Sequence, residues 1–166
     1  MNLVLIGIRN LLYMFLFILF WWWVAMEVRS FDDELLISLP PSTRLGGIGI
    51  MIVGTITALA CAGAFILVGR GTAAPFDAPQ VFVCIGPYLY VRNPMYIGGF
   101  FILVGFALFE RSASILLFCP LWLLLAHVFV VFYEEPTLEQ RFGKSYMDYR
   151  QAVNRWLPKL RPYRPT

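Results

Sequence analysis

A chain of 166 residues that is 60% hydrophobic, 17% aromatic and 14% charged, with mean hydropathy +0.72, is not built for water. Soluble domains carry about 25% charged and 45–50% apolar residues, and a domain this small cannot bury the surplus. Composition therefore excludes a soluble enzyme, a nucleic-acid binder and a disordered tail, and length excludes two large domains. A net charge of +3 makes attraction to polyanions no theme. The chain reads as one all-α integral membrane domain, 1–166.

Four charge-free stretches, at about 10–26, 45–69, 94–109 and 112–133, each approach the roughly 17–25 residues that a helix needs to cross a bilayer. They are continuous rather than alternating, which selects helices over a barrel. The first has no basic leader or small-residue cleavage site, and Arg9 and Asn10 interrupt its start, so it reads as a retained span. Trp21, Trp22 and Trp23 near its end suit an interfacial belt. An acidic surface linker follows and ends at Pro40-Pro41. The third and fourth stretches are separated only by Glu110 and Arg111, which predicts a tight antiparallel hairpin. Gly98 and Gly105 lie seven apart on one helical face, with Gly99 beside them, and let a neighbouring helix or a ligand approach the backbone. Cys61, Cys84 and Cys119 are far apart, without CxxC spacing or companion histidines, so they read as packing residues. No metal site is expected.

Past Tyr133 the chain becomes polar, and its 134–166 segment is predicted to be helical. Leu138, Phe142 and Tyr146 recur at i, i+4 and i+8. Gly143 can end one short helix, the capping box Ser145-Tyr146-Met147-Asp148 can open the next, and Pro158 marks its end. Arg141, Lys144, Arg150, Arg155, Lys159, Arg161 and Arg164 all fall in this segment. Four spans put it on the same side as Arg70 and Arg92, whereas Arg29, Arg44 and Arg111 opposite are outweighed by Glu27, Asp32, Asp33, Glu34 and Glu110. The positive-inside rule then predicts both termini, the loop 70–93 and the C-terminal segment in the cytoplasm, with a bacterial inner membrane as the setting.

Two clusters carry chemistry. Asn93 and Pro94 suit the N-cap and first position of the third helix. The free N–H groups of that helix start, beside Arg92, suit a carboxylate or phosphate. Glu134 and Glu135, at the exit of the fourth span, suit a cation or ribose hydroxyls. A zwitterionic ligand would fit between the two. Alternatively, Arg92 and Glu134 pair with each other or snorkel to the interface. His127 is the only histidine and shares a helical face with Glu134, which makes it a tentative catalytic residue or a neutral histidine bonded to another helix. Gly69-Arg70-Gly71 follows an apolar helix and makes a poor dinucleotide-binding fingerprint.

The string GPYLYVRNPMYIGG, followed about 35 residues later by EEPTLEQRFGKSYMDYRQAVNRWLP, resembles the integral-membrane methyltransferases. That superfamily includes isoprenylcysteine carboxyl methyltransferase and the phospholipid N-methyltransferases, and the bacterial isoprenylcysteine methyltransferase-like branch is most similar. The resemblance implies S-adenosylmethionine as cofactor. It also implies contacts from Gln80, Val81, Phe82, Val83, Tyr88, Arg92, Asn93, Pro94, Met95, Tyr96, Glu134 and Glu135. Asn93 stands where the family usually has histidine, Gln80 where prenylcysteine enzymes have histidine, and Val130 where they have a substrate-linked arginine. Val130 removes the partner for a carboxylate and so favours an amine head group, with phosphatidylethanolamine as the preferred membrane acceptor. Gly98, Gly105 and His127 would mark a substrate path reaching deeper into the bilayer. The alternatives are an isoprenylcysteine-type carboxyl or thiol methyltransferase, a sterol-reductase relative, and a non-catalytic membrane subunit that retains the cofactor fold.

The orientation is testable by cysteine labelling of intact cells. A membrane-impermeant maleimide should modify an Asp33→Cys variant and miss a Lys144→Cys variant; modification of the latter overturns the predicted topology.

Overall fold

The computed structural model describes residues 3–35, 37–69 and 79–164. Residues 70–78 of the predicted loop, with Arg70 and Gly71, lie outside the described residues. Among the described residues the chain is all-helical, with only an isolated bridge between Ser38 and Ser112. Helix α1 is Leu3–Arg29, α2 is Asp32–Leu35, and α3 is Thr43–Ala64, which continues into a wide π-helical turn, Phe65–Gly69. A 3-10 turn at Gly86–Leu89 precedes α4, Pro94–Glu110. Helix α5, Ala113–Phe129, runs through a second π-helical turn, Val130–Glu134, directly into α6, Glu135–Ala152. Helical stretches within Gly7–Leu35, Thr43–Gly69 and Ala113–Ala152 are long and apolar enough to cross a membrane, and Pro94–Glu110 is apolar but shorter.

The hairpin between α4 and α5 forms as the sequence predicts. Arg111 adopts φ 58° and ψ 32°, a left-handed conformation that ends α4 in one residue. Ser112 then caps α5 by accepting from the Ile115 N–H at 3.1 Å. The same end of the bundle is tied by three further contacts. Arg29 lies 2.5 Å from Glu110, Asp32 accepts from the Ser114 N–H at 2.9 Å, and the Arg111 Nε–H donates to the Leu39 carbonyl at 2.7 Å. The linker after α1 is therefore tied to the fold, while most of its described residues lie at the surface as expected.

The most extensive helix contact is α3 against α4. Gly47 and Gly54 on α3 face Gly105 and Gly98 on the antiparallel α4. A Cβ on Gly47 would stand 2.6 Å from the Gly105 carbonyl oxygen, and one on Gly54 would stand 2.6 Å from that of Gly98. The seven-residue spacing on α4 therefore meets a matching spacing on α3. Gly99 meets the Trp122 ring instead. This corrects the expectation of a substrate path along Gly98 and Gly105, because α3 backbone fills that face.

A second core joins α1, α4 and α5 through Ala25, Leu103, Ala107, Ile115, Cys119, Trp122 and Ala126. Trp21 packs edge-on against Trp122 within it, whereas Trp22 and Trp23 are half exposed, so only two of the three tryptophans are free for an interface. Cys61 and Cys119 are buried, as packing residues should be. Helix α1 is longer than the predicted span at both ends, because uncharged residues precede Arg9 and the helix persists through Glu27 to Arg29. Helix α6 turns sharply at Gly143, whose φ of 51° and ψ of −125° suit glycine. It ends at Ala152 and not at Pro158, because Val153 turns extended and Asn154 begins a run held by the loop before α4.

The glycine contact generates a stability prediction. Gly54→Ala or Gly98→Ala should destabilise the protein by about 1–3 kcal/mol through forced separation of α3 and α4. Gly49→Ala, with nothing within 4 Å of the added carbon, should stay within about 0.5 kcal/mol of the parent. Thermal unfolding in detergent separates the two outcomes.

Candidate active site

At the end of the bundle opposite the hairpin, the C-terminal ends of α3 and α5 meet the start of α4 and the length of α6. After α6 the chain returns along the segment before α4 and bonds to it through the backbone. The N–H groups of Arg92, Lys159 and Tyr163 reach the carbonyls of Asn154, Tyr90 and Leu89, each at 2.9 Å. The Tyr149 hydroxyl adds a 2.6 Å bond to the Tyr88 carbonyl.

Asn93 occupies the N-cap position of α4, but its side chain does not cap. The Nδ2 group donates to the Arg155 carbonyl at 3.1 Å, so Asn93 serves as a clasp for the returning chain. Pro94 follows at the first helical position, as predicted.

The two adjacent glutamates have different surroundings. Glu135 is 4% exposed and sits among arginines. Arg155 reaches it with two N–H groups at 2.6 and 3.0 Å, Arg92 lies 3.0 Å away, and Arg150 is at 3.7 Å. Burial would push the Glu135 carboxyl up. The Arg155 hydrogen bonds and the charges of Arg92, Arg155 and Arg150 outweigh it and hold the group below its ordinary range. The same bonds raise the Arg155 guanidinium. Glu135 is thus committed within the protein, and Arg92 pairs with it rather than with Glu134.

Glu134 instead lines an open cleft and accepts a 2.9 Å hydrogen bond from the Tyr96 hydroxyl. No lysine or arginine among the described residues pairs with it. Burial pushes its carboxyl above the ordinary range, opposed by the Tyr96 hydroxyl and assisted by the charge of Glu135. Arg92 lines the same cleft with a side chain only 10% exposed. Its Nη1 is spent on Glu135 and Tyr146, while its Nε is buried and, among the described residues, has no partner. The cleft wall therefore holds both Arg92, whose charge is met by Glu135, and Glu134, a carboxylate with no lysine or arginine on it among the described residues.

The cleft encloses about 90 Å³, within a wider recess of about 830 Å³ that includes the space open to solvent. The enclosed part is smaller than the about 300–1,000 Å³ of typical small-molecule sites, and the rest of the recess opens to solvent. Of the residues expected from sequence, Phe82, Val83, Tyr88, Arg92, Asn93, Tyr96, Glu134 and Glu135 line it. Gln80, Val81, Pro94 and Met95 do not: Gln80 and Val81 are exposed, Pro94 is buried, and Met95 packs on the Cys61 cluster. His127 is also outside the lining, and its Nδ1 accepts from the Trp156 indole at 2.9 Å. The sequence reading missed Phe65, Pro79, Phe129, Tyr133 and Thr137 as lining residues, and Arg155 as a partner. Leu138, Phe142, Tyr146 and Tyr149 also line the cleft, so the periodic stripe noted in sequence was the available signal for this wall.

An apolar helical bundle with a charged, aromatic-walled cleft at one end is the architecture of a membrane protein with a candidate site at its polar end. Residues 43–145 match the family model for phospholipid methyltransferase, and the chain belongs to that family. It is a membrane methyltransferase of the phospholipid and isoprenylcysteine kind, in a family that generally uses S-adenosylmethionine. No curated protein and no solved structure matches the chain.

The Glu135 cluster yields a pH prediction. Because its carboxyl is held below the ordinary value, its stabilisation is fully present above about 4.5 and is lost as pH falls through the lowered folded value. Glu135→Gln should cost about 3 kcal/mol at neutral pH by leaving arginines unpaired. It should also flatten the acid side of the stability profile followed by thermal unfolding.

Proposed function

We propose that the protein transfers a methyl group from S-adenosylmethionine to an amphiphile in the membrane, with the amine of a phospholipid such as phosphatidylethanolamine as the acceptor. The observation that carries this reading is the pairing of Arg92 and Glu134 across one cleft. A guanidinium in the cleft wall and a carboxylate with no lysine or arginine on it among the described residues are the complement of an α-amino acid, which carries one carboxylate and one ammonium. Arg92 would hold the carboxylate and Glu134 the ammonium, while Phe82, Phe142 and Tyr146 supply aromatic faces for an adenine. When bound, S-adenosylmethionine supplies a methyl group on an already activated sulfonium. The remaining task of the chain is to align the acceptor and exclude water, and such alignment is worth effective molarities of about 10⁵–10⁸ M.

The acceptor end of the cleft has a different character. Phe129 and Tyr133 line it while remaining partly exposed on the outer surface, which supports entry of a lipid sideways, head group first. Val130 is 1% exposed and packed in the interior, so it offers no charge to an acceptor carboxylate. This favours an amine head group over a prenylcysteine. In the reading proposed, a single domain crosses a bacterial inner membrane four times, with α4 as the short span. Both termini and the cleft then face the cytoplasm, the side that the distribution of lysine and arginine favours.

Calorimetric titration of the purified protein with S-adenosylhomocysteine tests the cofactor. Glu134→Ala should weaken binding by about 1.5–3 kcal/mol, the value of a hydrogen bond to a charged group; unchanged affinity removes Glu134 from the site. Radiolabelled S-adenosylmethionine in proteoliposomes tests the acceptor. Label should enter phosphatidylethanolamine, and label in a prenylcysteine analogue alone overturns the amine assignment.

A further inference from the structure

We infer that His127 is a positioning residue that acts on the cleft through Trp156 and Tyr96. The inference rests on the assignment of Glu134 to the cofactor ammonium and extends it to residues that do not line the cleft. The Trp156 indole N–H donates to His127 Nδ1 at 2.9 Å. The Trp156 ring meets Tyr96 edge to face, with centroids 6.3 Å apart and planes at 81°. The Tyr96 hydroxyl in turn donates to Glu134 at 2.9 Å. A continuous line of contacts thus runs from a helix interior to the carboxylate in the cleft.

The hydrogen-bond chemistry fixes the role of each group. A neutral imidazole has one donor and one acceptor nitrogen. Because Nδ1 accepts from the indole, the proton resides on Nε2, and no lone pair is left on the ring to take a proton from an acceptor. His127 therefore serves as an anchor and not as a base. The backbone around Trp156 is already pinned, since the Asn154 carbonyl accepts from Arg92 and the Arg155 carbonyl from Asn93. What the backbone leaves free is rotation of the indole, and the bond to His127 removes that freedom. A fixed indole gives the Tyr96 ring a firm wall. Without it the phenol can swing, and its hydroxyl no longer orients the carboxylate.

The test uses the full-length protein in detergent or proteoliposomes, with S-adenosylhomocysteine as the binding probe. Loss of one neutral hydrogen bond corresponds to a change of about two- to tenfold. His127→Leu should weaken binding by that factor and leave kcat at saturating S-adenosylmethionine within about twofold. Trp156→Phe, which keeps a ring against Tyr96 but removes the N–H, should weaken binding to a similar degree. The double variant should be no worse than either single one, because both remove the same bond. His127→Asn, whose amide oxygen stands near the position of Nδ1, should restore binding towards that of the parent. Additive losses in the double variant, or an Asn variant as weak as the Leu variant, overturn the inference. So does a collapse of kcat with unchanged affinity, which would mark direct chemistry by His127. If Glu134→Ala is weak but His127→Leu binds like the parent, this inference alone falls. If Glu134→Ala itself binds like the parent, the cofactor assignment falls as well.

Discussion

A carboxylate taken out of water must be met by charge and hydrogen bonds, or the chain will not fold around it. Glu135 meets that condition with partners drawn from three separate places. Arg92 comes from the segment before α4, Arg150 from the far end of α6, and Arg155 from the chain beyond it. Each of these cations is brought in by a different stretch of backbone, so satisfying one carboxylate folds the polar end of the bundle as a unit. The backbone bonds from residues 154–163 to residues 89–92 follow the same path and lock the same arrangement. The cleft exists because this cluster holds α4, α6 and the returning chain at fixed separation.

Along the apolar seam of α3 and α4 the constraint is steric. The α3–α4 pair approaches until glycine is the only residue that fits, which fixes the axial register of the two helices. Once α4 is fixed along α3, the position of Arg92 and Tyr96 relative to the end of α3 is fixed too. Phe65, in the turn that ends α3, then packs edge to face on Tyr88 and becomes a cleft wall. Close packing in the apolar part of the molecule thus sets distances in the polar part.

Much of this was legible in sequence because the signals are local. Two residues between apolar runs require a hairpin, Asn93-Pro94 marks a helix start, and the spacing of Leu138, Phe142 and Tyr146 declares one helical face. What was not legible depends on partners distant in the chain. Gly47 and Gly54 look like ordinary small residues until Gly98 and Gly105 are set against them. Arg155 lies 20 residues from Glu135 in sequence and shares no helical face with it. Asn93 was read as a cap from its position, and only the fold shows its amide turned towards Arg155. Gln80 and Val81 follow the motif order yet stay at the surface, since the loop touches the cleft with Pro79 and returns to it with Phe82 and Val83.

The π-helical turn at Val130–Glu134 has a consequence for how a pair of identical side chains divides its labour. Consecutive residues on a helix point about 100° apart, so two neighbouring carboxylates can never share one direction. A wide turn accommodates one residue more than an α-helical turn and advances the angular phase of everything after it. Here that phase sets one glutamate towards open space and the next towards a cage of arginines. Chemical identity is thereby converted into asymmetry by rotation alone: one carboxylate faces the cleft, and its twin is a structural ion. A chain in which this turn lost a residue ahead of Glu134 would keep both glutamates, but it would aim a different side chain at each environment.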